Sequence, residues 1–149
     1  MLKSLDYLTL ENKENYSRLM RYLMNYAMFD LNIGVEFTDL LPPLAPPISY
    51  NTPGKLIIMN GNWAYPTQIP FLLAHEIGHV IHENESFYHI SALTRLKGEA
   101  CENTYAIKLL HKYCVDNEIY FDSCYRFAKC FGIPEACYYL LEILEENNG

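Results

Sequence analysis

The stretch Ile69-Pro70-Phe71-Leu72-Leu73-Ala74-His75-Glu76-Ile77-Gly78-His79-Val80-Ile81-His82 carries both a fold signal and a chemical one. Phe71, Leu72, Leu73, Ile77, Val80 and Ile81 predict a long apolar helix that begins near Thr67 as N-cap and runs to about His82, with Pro70 tolerated in the first turn. On such a helix, residues four apart are separated by about 40° around the axis and about 6 Å along it. His75 and His79 therefore point the same way and can share one tetrahedral ion through imidazole nitrogens. Glu76 lies about 100° around from His75, beside the ion but poorly aimed to bind it. That position suits a carboxylate that takes a proton from water acidified by zinc. Two histidines and a glutamate in an apolar helix would be costly to bury unpaired, and a metal removes that cost. The expected cofactor is Zn2+.

A catalytic zinc takes three protein ligands and leaves a fourth position to water. Two residues compete for the third place. Glu99, in Lys97-Gly98-Glu99-Ala100-Cys101-Glu102-Asn103, is read as heading a helix of its own, with Asn103 one turn later on the same face. Asn103 could then hydrogen-bond the outer nitrogen of a ligating histidine. His82 is about 20° from His75 around the axis but nearly two turns further along, so its ring would strain to reach the same ion. Glu99 is preferred, His82 is the alternative, and Glu102, about 60° from Glu99, is a lower-ranked one.

Outward from this centre, the 149 residues, half of them hydrophobic, suit one domain spanning 1–149. Apolar residues Tyr16, Leu19, Met20, Leu23, Met24 and Ala27 predict an amphipathic helix over Asn12–Phe29. A strand is expected over Ile33–Phe37, with Val35 and Phe37 on one face. Leu40–Pro47 holds four prolines and should be an extended surface segment. Lys55–Asn60 reads as a short strand that stops at Asn60-Gly61. Helices are expected at about 95–113, about 118–131 and about 134–146, with Gly132-Ile133-Pro134 as a stop-and-restart signal. The fold class is therefore α+β: a helix, a small sheet, then a helical half.

With a formal net charge of −7, nothing points to a phosphate-binding surface, and direct nucleic-acid recognition is a poor expectation. Five cysteines, an odd number with no Cys-x-x-Cys pair, point to reduced thiols and a reducing compartment. The N-terminus shows no secretion signal, and no apolar run approaches the roughly 20 residues needed to span a bilayer. A cytoplasmic protein away from membranes is expected, of undetermined oligomeric state.

The helix Ile69–His82, followed by Glu99-Ala100-Cys101-Glu102-Asn103-Thr104-Tyr105-Ala106-Ile107-Lys108-Leu109-Leu110, resembles the ImmA/IrrE family of metallopeptidases, encoded by mobile elements, phages and bacteria. The family pairs a His-Glu-x-Gly-His-x-x-x-His-like helix with a downstream Glu-x-x-x-Asn-x-Phe-Ala-x-x-Leu-Leu helix, and Glu99, Asn103, Tyr105, Ala106, Leu109 and Leu110 occupy the places of the second here. The resemblance extends over about 30–140. Two departures stand out. His111-Lys112-Tyr113 replaces the proline common after the paired leucines, so that helix should run longer. Glu102 replaces the alanine usual before the asparagine. The resemblance implies a minimal zincin with the Leu56–Asn60 strand as its edge strand, pairing with an extended substrate. It implies a zinc peptidase in which His75, His79 and Glu99 hold the metal and Glu76 is the catalytic base. The implied substrate is a separate protein, a helix-turn-helix transcriptional repressor of the same element. A regulator that keeps the zinc fold and inactivates the repressor by binding is the alternative. Tyr88 or Tyr105 could aid the oxyanion, although packing is the commoner role for a tyrosine in a chain with thirteen of them.

Overall fold

A computed structural model describes residues 10, 12–50, 54–82 and 92–146, with the side chains of 92–99, 145 and 146 outside that description. The architecture is α+β, with a small mixed sheet among helices.

Helix α1 spans Lys13–Asn25 and starts because the Asn12 side chain accepts from the backbone N–H groups of Glu14 and Asn15, at 3.0 and 3.1 Å. The expected helix to Phe29 continues as a wider π-turn over Tyr26–Asp30. It ends at Asn32, whose φ of 57° is tolerable for asparagine. Leu19 and Leu23 of α1 are fully buried.

Strand β1 covers Gly34–Thr38, β2 Ile48–Tyr50 and β3 Leu56–Asn60. Their order is β1-β3-β2, with β1 parallel and β2 antiparallel to β3. This corrects the expectation for Leu56–Asn60: β3 is paired on both sides and cannot be the edge strand. Strand β2 has no signal in the sequence beyond the end of the proline run. On β1 Phe37 is 44% exposed, whereas Ile57 and Met59 of β3 are buried.

The proline run carries no regular secondary structure, and instead of staying extended throughout, as expected, it closes a turn in which the Ala45 N–H donates to the Pro42 carbonyl at 3.0 Å. Prolines leave carbonyls without neighbouring N–H groups to pair with, and two asparagines at and just past the end of β3 supply donors instead. The buried Asn60 Nδ2 donates to the Pro42 and Ala45 carbonyls at 2.7 and 3.0 Å. Asn62 Nδ2 donates to those of Asp39 and Leu41 at 2.7 and 3.1 Å.

A 3-10 turn at Pro66–Gln68 leads into helix α2, Ile69–His82. Thr67 lies inside this turn and is not an N-cap, because Pro66 starts the coil earlier. Buried Leu73, Ala74 and Ile77 bind α2 to the rest of the core, and both β2 and β3 pack on it.

Helix α3, Ala92–Asp116, runs past the paired leucines as expected, and begins earlier than position 95. Glu99 therefore sits well inside this helix and does not head it. The expected helix from 118 is shorter: Glu118 adopts φ 56° as α3 closes, with the Ile119 N–H reaching the Cys114 carbonyl at 2.8 Å. Helix α4 then spans Cys124–Cys130, capped by Ser123. The predicted helix at 134–146 is split into a 3-10 segment, Glu135–Leu140, and helix α5, Glu142–Glu146. Phe121, Phe127 and Phe131 pack ring against ring, with centroids 5.3 to 5.9 Å apart and Phe121 edge-on to Phe131.

The stop signal at Gly132 is needed for two reasons. Its φ is +67°, and a Cβ there would collide with the Thr67 carbonyl, a backbone atom just before α2. A left-handed alanine costs about 1–2 kcal/mol, and a clash with backbone adds to it. Gly132→Ala should therefore lower stability by at least about 2 kcal/mol in denaturant titration.

Candidate metal centre

Helix α2 brings His75, Glu76 and His79 together, with one ligand-capable atom of each within 4.8 Å of the others. His75 Nε2 and His79 Nε2 face one another at 3.0 Å, their rings edge-on with centroids 4.7 Å apart. Zinc–nitrogen bonds of 2.0–2.1 Å at a tetrahedral angle hold two nitrogens about 3.3 Å apart, so the pair is set at nearly the spacing a shared ion requires. Both rings are half-buried, and Phe71 lies against His75 with centroids 6.3 Å apart. Glu76 is only 8% exposed. A donor set of two imidazoles with an adjacent sheltered carboxylate fits zinc.

The remaining sequence candidates part company. Glu99 lies on α3, with its side chain outside the described ones, and Tyr88 is also outside the described residues. Asn103 is half-buried further along α3. His82 and Glu102, both weighed as third ligands, engage each other. His82 Nδ1 stands 2.9 and 3.1 Å from the two Glu102 oxygens. The reason is the flank of α2 on which α3 packs. Relative to His75, His79 lies about 40° to one side, while His82 and Gly78 lie about 20° and 60° to the other. Helix α3 meets the Gly78 flank and takes His82 with it.

Gly78 is what allows this approach. A Cβ at that position would collide with Glu102 Oε2 and come within 3.1 Å of Tyr105 Cδ1. Glu102 is fully buried and held by His82, so it cannot swing aside freely. Tyr105 is held as well: its hydroxyl pairs with that of Tyr26 at 2.9 Å, and its ring sits edge-on to His82 at 5.8 Å. Burial first, then the Tyr26 hydrogen bond, pushes the Tyr105 hydroxyl far above the usual phenol range. These contacts fit Tyr105 to packing between α1, α2 and α3. Cys101, which the sequence reading did not single out, lies beside His82 and Glu102. Its spacing carries no metal motif, and only the turn of α3 brings it there.

No family model matches the chain, and neither a curated protein nor a solved structure matches it. No helix among the described residues is long and apolar enough to cross a membrane.

Two outcomes test this geometry. In an open helix, Gly78→Ala would gain about 1 kcal/mol of helix propensity. Here the collision with Glu102 and Tyr105 should reverse the sign, giving a net loss of about 1–3 kcal/mol in chemical denaturation. His75→Ala and His79→Ala should each weaken zinc binding by more than about 100-fold, since loss of outer-shell partners alone costs 10–100-fold. Isothermal titration on variants with unchanged circular dichroism checks this.

Proposed function

We propose that the chain is a zinc-dependent endopeptidase of the ImmA/IrrE type, built as a minimal zincin, that cleaves a specific protein, a transcriptional repressor of a phage or mobile element in the host cytoplasm. The single observation that supports it most is the facing pair His75 Nε2 and His79 Nε2 at 3.0 Å with Glu76 sheltered beside them. His75 and His79 would hold the zinc, and Glu99 would complete the set from α3, with Asn103 orienting a ligand ring. When bound, zinc supplies Lewis acidity, acidifying a water and polarising the scissile carbonyl. Glu76 takes the proton of the attacking water and hands it to the departing amine. Burial of Glu76 limits exchange of that proton with solvent.

The substrate strand would lie against β2. Strand β2 packs on α2, and its far edge pairs with no strand among the described residues. Its N–H and C=O groups are therefore placed to pair with an extended segment, the role first expected of β3. Ile48 and Tyr50, 40% and 45% exposed, would meet alternate substrate side chains.

The Glu76→Gln chain tests the reading. It should keep its fold and zinc, hold the target protein, and cleave it about 10²–10⁴-fold more slowly than wild type, followed by mass spectrometry of the fragments. A Glu76→Gln chain that inactivates the captured repressor as fully as wild type would instead establish action by binding.

A further inference from the structure

His82, Cys101 and Glu102 form a second group whose ligand-capable atoms all lie within 4.8 Å of one another. It is separate from the His75–Glu76–His79 group and is built across two helices. We infer that these three residues constitute a second cation site, for a divalent transition metal that accepts sulfur, of which zinc is the natural representative. This inference is independent of the peptidase reading.

Three observations carry it. First, the donors match: one imidazole, one thiol and one carboxylate are a set that selects zinc-like ions over magnesium or calcium, which favour oxygen alone. Second, the site is held in place before any ion arrives. Glu102 has no solvent exposure and is sandwiched against Gly78, while Tyr105 packs edge-on against the His82 ring. The His82 Nδ1 to Glu102 Oε2 separation of 2.9 Å is close to that of two ligands sharing a tetrahedral zinc. Third, access exists, because Cys101 is exposed and His82 is half-exposed, so an ion can enter from solvent on that side. An ion pair alone would account for His82 and Glu102; the Cys101 thiol, within 4.8 Å of both, adds the third donor that an ion needs.

Binding requires a thiolate and a free Nδ1 lone pair. The Cys101 thiol proton goes to solvent, and the Nδ1 proton through which His82 meets Glu102 must move to Nε2 or leave with it, so that each ion bound displaces at least one proton. Glu102 contributes its charge directly. With three protein ligands, a fourth position is left to water or to an incoming group.

Titration of the full, metal-stripped chain with Co2+ alone tests the inference, because a cysteine ligand produces a thiolate-to-cobalt charge-transfer absorption in the near ultraviolet that histidine and carboxylate ligands do not. The absorption should appear in wild type, survive in the His75→Ala/His79→Ala double variant, and vanish in Cys101→Ser, a change at an exposed position that leaves the core intact. His82→Ala should weaken it by at least about 10-fold in cobalt affinity. Absence of the absorption in folded wild type, or its persistence in Cys101→Ser, would overturn the second site. Loss of cobalt from the His75/His79 pair alone is read separately, in the visible bands, and bears only on the peptidase centre.

Discussion

The close approach of α3 to α2 at Gly78 is the contact on which the polar chemistry of this protein depends. Without a side chain at that one position, the Glu102 carboxylate and the Tyr105 ring can lie directly on the α2 backbone. A buried carboxylate is expensive unless it finds a charged or hydrogen-bonding partner, and His82, one turn further along α2, supplies it. The same approach settles the angular order of functions around α2. One flank is taken by α3, and the adjacent strip carries His75 and His79. Glu76 falls beyond them, about 100° around from His75, where it is only 8% exposed.

The sheet answers a different constraint. A proline-rich segment can satisfy few of its own carbonyls, and it would be a poor neighbour for a site if it moved. Asn60 and Asn62, placed where β3 ends, fasten it by four hydrogen bonds from two side chains. The chain that leaves this fastened loop becomes β2, which lands on the free side of β3 and next to α2. The loop thus decides that β2, opposite β1, forms an edge of the sheet. Gly132 seats the C-terminal segment on the carbonyl of Thr67, bracing the turn from which α2 starts.

The helical character of α2, the shared direction of His75 and His79, and the offset of Glu76 follow from residue spacing alone, because a helix is periodic and its geometry is local. The start of α1 near Asn12, the lack of regular structure in the proline run and the break at Gly132 are equally local, each resting on the backbone or hydrogen-bonding preference of the residues concerned. Boundaries set by tertiary contacts were not legible in this way. The 118–123 stretch looks helical by composition, but α3 closes with a left-handed Glu118 and spends those residues on a loop into the aromatic cluster.

The site divides along the same line. His75, Glu76 and His79 belong to one helix, so the sequence by itself determined their relation. Everything that joins them to the rest of the chain needed the fold. The pairing of β3 on both sides, the edge position of β2, and the convergence of His82 with Cys101 and Glu102 all join residues that no sequence period connects. Their positions depend on which flank of α2 is smooth enough for another helix to touch, and a single glycine's missing side chain decided that.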